Sequence, residues 1–184
     1  MKIAWSLGAA CLVVALGWHL PASAQSEARA VLPPTLNDRG RNLQLVSCGM
    51  RDTLWIDHYA AGLYIPRGAD MQTVRDASSS KGVLIRMITT RYLPDQIPAK
   101  WLKALEGTAP PASLANLRRA YRSLNDGDLM SIVYEPAKGV TIRVNGRRVS
   151  HVSDHEVIDA ILQAWAEDRP VSEKLEKLSS EHPC

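Results

Sequence analysis

The chain has 184 residues, with 22 lysines and arginines against 19 aspartates and glutamates, and its formal net charge at neutral pH is +3. So small an excess of positive charge gives no reason to expect a nucleic-acid partner. Beyond the N-terminal segment, no apolar run reaches the length that a membrane-spanning helix needs. The remaining length fits one domain.

The first residues have the pattern of a secretory signal peptide. Lys2 supplies a short positive region, Leu7–Leu20 is mostly apolar, and the A-x-A sequence ending at Ala24 is typical of a cleavage site. The apolar run is short for a membrane span. We therefore predict export to the periplasm, with cleavage after Ala24 and a mature chain that starts at Gln25.

Two cysteines, Cys48 and Cys184, remain after cleavage. Exported thiols meet an oxidising environment, which favours a disulfide bond between them. The alternative is one buried thiol and one thiol at a frayed end of the chain. We expect the disulfide.

The first half of the mature chain is strand-rich. Residues 25–40 contain two adjacent prolines and little periodicity, which predicts an extended lead-in to a domain at 41–184. The pattern then predicts strands at Asn42–Ser47, Thr53–Ile65 and Val83–Thr90, with a short helix at Asp70–Arg75. The third strand is apolar on both faces except at Arg86, as in a central, doubly covered strand.

Helices and a β-meander alternate in the second half. A helix at Pro98–Glu106 precedes one that starts at Pro111, where Leu114, Leu117, Tyr121 and Leu124 form one apolar stripe. The predicted strands of the meander are Leu129–Glu135, Val140–Val144 and Arg147–Val152. A capping box at Ser153–Glu156 then opens a helix that carries Val157–Trp165, and a last helix is predicted at Ser172–Ser180. This order predicts an α+β fold, a large antiparallel sheet with helices packed on one face.

The sequence does not match the common patterns of catalytic nucleophiles or metal sites. No glycine-flanked nucleophile elbow surrounds Ser47, and Cys48 has little nearby that would lower its pKa. His151 and His155 have metal-pair spacing, but Ser153 breaks the element between them. We expect neither a metal nor a cofactor.

Polar groups on the strands leave two interpretations open. Arg51, Arg86, Tyr59 and Tyr64 lie among apolar residues. Such an arginine usually extends its head to water or pairs with a carboxylate. The functional alternative is recognition of a ligand carboxylate, for which a guanidinium is suited.

At these residues the chain resembles the chalcone isomerase-like family. The stretch "DHYAAGLYIP" resembles the family's signature strand, "LNDGDLMSIVYEPAKGVTIRVNG" its later hairpin, and "VIDAILQAWAEDRPVSEKLEKL" its closing helices. The resemblance covers Leu43 to Leu178. It implies an open-faced sandwich with a cleft between sheet and helices, and relatives that are either flavonoid cyclases or non-catalytic fatty-acid-binding and exported proteins.

The resemblance also allows the family's catalytic set to be compared position by position. Its arginine matches Arg51. Its signature-strand threonine falls on Tyr59, its water-ordering tyrosine near Gln96, and its asparagine near Lys103. Its substrate-selecting serine or threonine falls on Ala164. The arginine is therefore the one member that this chain retains.

A retained arginine without its catalytic partners implies binding rather than catalysis. We expect a non-catalytic periplasmic protein that holds a small lipophilic, fatty-acid-like acid, with Arg51 as the anion anchor. The alternative is an isomerase for a chalcone-like substrate, with Arg51 as electrophile and Tyr59 as hydrogen-bond donor. A second alternative is an interaction protein whose cleft is filled by its own side chains.

The run Tyr59–Gly62 carries one structural expectation. Small residues weaken a strand, so a close contact should compensate for them. We expect the Val157–Trp165 helix to lie directly over Gly62, with Tyr59 facing the cleft.

Overall fold

The computed structural model describes residues 31–53, 56–69, 74, 76–91, 97 and 99–165. The predicted signal peptide, most of the predicted Asp70–Arg75 helix, Gln96, the predicted last helix and Cys184 lie outside these residues. In the described ranges the strands are β1 (Thr35–Asp38), β2 (Arg41–Thr53), β3 (Ile56–Pro66), β4 (Lys81–Met87), β5 (Leu129–Glu135), β6 (Gly139–Val144) and β7 (Arg147–Val152). The helices are α1 (Ala99–Glu106), α2 (Pro111–Arg122) and α3 (Glu156–Trp165).

The described strands form one antiparallel sheet in the order β1 to β7. β1 lies within the predicted lead-in, and β2 is continuous where the sequence pattern predicted a break between two strands. Gly49 and Arg51 of β2 pair with Ala61 and Tyr59 of β3. This ladder outweighs the weak strand propensity of glycine, and irregularities after Leu45 and at Arg51 absorb the mismatch in register.

Helices cover one face of the sheet, which confirms the predicted fold class. The apolar stripe of α2 is buried as predicted, together with inward residues of α1 and α3. They pack on strand residues such as Leu63, Ile85 and Ile132. We call this side the helix-covered face. Among the described helices, none is long and apolar enough to cross a bilayer.

Local signals fix the ends of the meander and of α3. Asn145 and Gly146 both have positive φ, 49° and 77°, as the tight hairpin turn requires. The start of α3 differs from the predicted capping box, because the Asp154 carboxylate accepts the Glu156 N–H at 2.9 Å. Asp154 therefore takes the capping role that the sequence assigned to Ser153.

The opposite side of the sheet, the inner face, holds a smaller core of its own. Ala60, Tyr64, Leu84 and Val133 lie there, and Leu32 covers them. The N-terminal segment is tied down by two hydrogen bonds to carbonyl groups of consecutive prolines. The Tyr64 hydroxyl donates to the Pro33 carbonyl at 2.8 Å, and the Leu45 N–H donates to the Pro34 carbonyl at 3.0 Å.

Ion pairs on the inner face show that the sheet curls. Arg143 of β6 contacts Asp38 of β1 at 2.9 Å, and Arg41 of β2 contacts Glu135 of β5 at 2.9 Å. In a flat sheet the five spacings from β1 to β6 would separate these strands by roughly 24 Å. The sheet therefore rolls until its first hairpin reaches the strands near its other edge.

Gly62 packs closely, but against a different partner from the expected helix. A Cβ at this position would lie 2.6 Å from Cδ1 of Leu45 and 3.0 Å from Cδ1 of Leu32, both on the inner face. The expectation that α3 lies over Gly62 is therefore wrong. Strand alternation explains the error, because Ala61 points toward the helices and Gly62 points away from them.

Cys48 is buried in the core of the inner face. Cys184 lies outside the described residues, so the pairing of these two cysteines stays a prediction.

Candidate ligand-binding site

A narrow cavity lies between the helix-covered face of the sheet and helices α1 and α2. Its lining is almost wholly apolar and aromatic. The lining residues are Tyr59, Ile85, Ile97, Trp101, Leu117, Tyr121, Leu124 and Met130. The cavity volume is about 10 Å³, which is room for roughly one water molecule. A larger guest must therefore push side chains aside.

Arg51 and Tyr59 stand together beside this cavity. They are register partners on β2 and β3, and directly opposite residues of an antiparallel pair share one face. Tyr59 lines the cavity, whereas Arg51 is exposed. Burial raises the pKa of the Tyr59 phenol, and the neighbouring Arg51 guanidinium offsets part of that rise. The guanidinium therefore lies where it can meet an anion at the edge of an apolar space.

Tyr121 is a site residue that the sequence did not single out. It is buried on α2 and lines the cavity from the helix side. Burial raises the pKa of Tyr121 to about 12, with a further rise from Tyr59 and a decrease from Arg51. Both tyrosines are therefore neutral hydrogen-bond donors at neutral pH. In the sequence, Tyr121 belongs to the apolar stripe of α2, and that pattern predicts a core residue rather than a site residue.

Of the other predicted site residues, Lys103 lies apart from this group. Lys103 is exposed on α1 and is absent from the cavity lining. Gln96 lies outside the described residues, and so does the side chain of Ala164, whose backbone belongs to α3. The polar groups of Arg86 and Tyr64 serve the structure, since they donate to the Gly127 and Pro33 carbonyls. The roles predicted for Gln96, Lys103 and Ala164 remain untested.

A second polar cluster lies at the other end of the helix-covered face. The Lys81 side chain is completely buried, and its ammonium group lies 2.9 Å from Oδ1 of Asp159 and 2.5 Å from the Val74 carbonyl oxygen. It also lies 5.4 Å from the centre of the Tyr134 ring. This cation is fully partnered, so the cluster ties α3 to the sheet.

His151 and His155 do not meet. His151 is on β7 beside Thr141, whereas His155 precedes α3 and faces Asp159. Within the described part of the chain, no three or more His, Cys, Asp or Glu side chains are grouped so as to hold a metal ion.

The family model described as chalcone isomerase-like matches residues 24–178. The chain belongs to the chalcone isomerase-like family. The fold agrees with a solved structure of a fatty-acid binding protein from Arabidopsis thaliana, with a TM-score of 0.55 and 14% sequence identity. That match covers 80% of this chain and 94% of the plant protein. A search of curated proteins finds no match. These findings confirm the predicted family and fold.

Proposed function

We propose that this chalcone isomerase-like protein binds a small lipophilic carboxylic acid, with the carboxylate at Arg51 and the hydrocarbon part in the cavity beside Tyr59. The observation that carries the proposal is the juxtaposition of one exposed guanidinium with an apolar cavity on the same face of the sheet. Guanidinium groups bind carboxylates through charge-assisted hydrogen bonds. Apolar walls with few polar groups are typical of small-ligand sites.

The narrowness of the cavity favours an alkyl chain as the guest. A single chain is thinner than a substrate with two aromatic rings, so it displaces fewer wall atoms on entry. Met130, Leu117 and Leu124 are among those walls, and methionine in particular adapts to irregular shapes. The similar plant structure belongs to a fatty-acid binding protein, which supports the same class of ligand.

The test is calorimetric titration of purified wild-type protein with dodecanoate. We expect saturable binding that Arg51→Ala weakens about tenfold to a hundredfold, as for a lost charged hydrogen bond. Arg67→Ala is the matched control, because Arg67 is exposed just beyond the other end of β3. Absence of binding by wild-type protein, or equal losses in both variants, would contradict the proposal. Absence of binding would favour an interaction protein with a closed cleft.

We also propose that the protein works in the periplasm. The signal-peptide pattern that ends at Ala24 supports export, and the disulfide that we propose between Cys48 and Cys184 would be typical of an oxidising compartment. Intact-mass measurement on protein isolated from the periplasm should give a chain starting at Gln25. Thiol alkylation before and after reduction should show that Cys48 and Cys184 are paired. A retained N-terminus or two free thiols would contradict this.

A further inference from the structure

Two tyrosines face the same cavity from opposite walls. Tyr59 comes from the sheet and Tyr121 from α2, and among the described lining residues they are the ones that carry a hydroxyl group. Tyr121 lies seven residues after Leu114 and four after Leu117 on the buried stripe of the helix. The sheet and the helix thus each contribute one tyrosine to the wall of the cavity.

These phenols differ from Tyr64 and Tyr134, the other two tyrosines that the structure describes. The Tyr64 hydroxyl donates to the Pro33 carbonyl at 2.8 Å, and the Tyr134 hydroxyl donates to the Ala77 carbonyl at 2.5 Å. Each of those groups is satisfied by the backbone, as buried hydroxyls usually are. Within the described ranges, no such backbone bond is found for Tyr59 or Tyr121.

Arg51 is close enough to both phenols to act on them electrostatically. Its positive charge opposes the effect of burial on the pKa of Tyr59 and of Tyr121, and Tyr59 adds to the rise in the pKa of Tyr121. A carboxylate has four lone-pair positions, more than one guanidinium fills. One cation and two neutral phenols match both its charge and its capacity to accept hydrogen bonds.

We propose that Tyr121 is a second phenolic donor to the bound carboxylate, so that Arg51 and Tyr59 hold the anion from the sheet while Tyr121 holds it from α2. The inference rests on the proposed function and adds a specificity-determining residue to the site. A ligand held in this way joins the helix to the sheet across the cavity. The proposal also predicts a higher affinity for an acid than for the alcohol of equal chain length, because the alcohol accepts fewer hydrogen bonds and carries no charge.

Tyr121→Phe removes the hydroxyl and keeps the ring, so it separates hydrogen bonding from packing. Wild type and variant are titrated with dodecanoate and with dodecan-1-ol. We expect the dodecanoate affinity of the variant to fall about fivefold to tenfold, the effect of one hydrogen bond, with less than about a twofold change for the alcohol. Tyr64→Phe is the matched control, and its affinity for dodecanoate should be unchanged.

The outcomes are distinguishable. If wild-type protein does not bind dodecanoate, the proposed function fails and the role of Tyr121 fails with it. If wild-type protein binds dodecanoate and Tyr121→Phe binds it equally well, the proposed function stands and the role of Tyr121 is wrong. Equal losses for acid and alcohol would show that Tyr121 acts through packing alone, which also overturns the inference.

Discussion

Each of the two ends of the helix-covered face has a positively charged side chain beside a tyrosine, but the two cations differ in burial and in their partners. At one end Lys81 and Tyr134 lie together, with the ammonium group completely buried and paired with Asp159. At the other end Arg51 and Tyr59 lie together, with the guanidinium exposed beside a cavity. A cation beside a tyrosine is therefore not in itself a sign of function.

The difference lies in the remaining partners of each cation. Lys81 has a carboxylate, a carbonyl and an aromatic ring within reach, so it is a closed structural cluster. Arg51 stands at the edge of a space lined by apolar groups and two phenols. Of these two cations, Lys81 is already paired with the Asp159 carboxylate, whereas Arg51 is exposed. An added carboxylate can therefore bind Arg51 without displacing Asp159.

Breaking the Lys81 cluster should produce the largest effect. Asp159→Ala leaves a buried ammonium group without its carboxylate, and we expect the free energy of unfolding to fall by about 2–4 kcal/mol. The value lies toward the lower end for buried pairs because Asp159 is 39% exposed and water can reach it. Urea unfolding measures the change. Adding Lys81→Met should recover much of the loss, and a loss below about 0.5 kcal/mol in Asp159→Ala would contradict the structural role.

Enlarging the cavity should lower the stability of the protein in a way that a bound ligand can partly reverse. Leu117→Ala removes part of the cavity wall, and we expect a loss of about 2–3 kcal/mol, the lower range for such truncations. Dodecanoate should restore part of that stability by filling the space. Leu105→Ala is the matched control, because Leu105 is fully buried on α1 but does not line the cavity. Equal rescue of both variants would show that the ligand binds elsewhere.

Alkaline pH should weaken the cavity end through its tyrosines. Because burial raises the pKa of Tyr121 to about 12, its neutral form is favoured in the folded protein. This contribution is complete below the unfolded value near pH 10 and is lost as the pH rises toward about 12. The urea midpoint should therefore fall over that window, and fall less steeply in Tyr121→Phe. Parallel curves for the two proteins would contradict this.

The smallest effect is expected from His155, at the margin of the Lys81 cluster. Its ring nitrogen Nε2 lies 3.8 Å from Oδ2 of Asp159, and the side chain is 41% exposed. An exposed pair of this kind contributes little, so His155→Ala should change the free energy of unfolding by less than about 0.5 kcal/mol. A loss comparable to that of Asp159→Ala would mean that the histidine belongs to the cluster.

Local patterns allowed much of this fold to be predicted from the sequence. The tight turn at Asn145-Gly146, the proline that starts α2 and the apolar stripe of that helix each depend on residues close together in the chain. The continuity of β2 and the direction in which Gly62 faces depend on pairing with other strands and could not be read locally.

The candidate site was predictable only in part for the same reason. Arg51 and Tyr59 were both proposed, and strand register brings them together. Tyr121 looked like an ordinary member of an apolar helix face, because nothing in its own helix shows which cavity it meets. Lys81 and Asp159 are 78 residues apart in the sequence, so their pairing appears only in three dimensions.

The curl of the sheet has a consequence for the order of folding. Asp38 and Arg143 are nearly buried and belong to strands far apart in the chain, so their pairing closes a long loop. Such contacts form late because the entropy of loop closure must first be overcome. We expect the β5–β7 meander to assemble first, because its strands are joined by short hairpins. The first hairpin would then dock on it last, and in a refolding experiment the inner face would be the final part of the molecule to gain protection from hydrogen exchange.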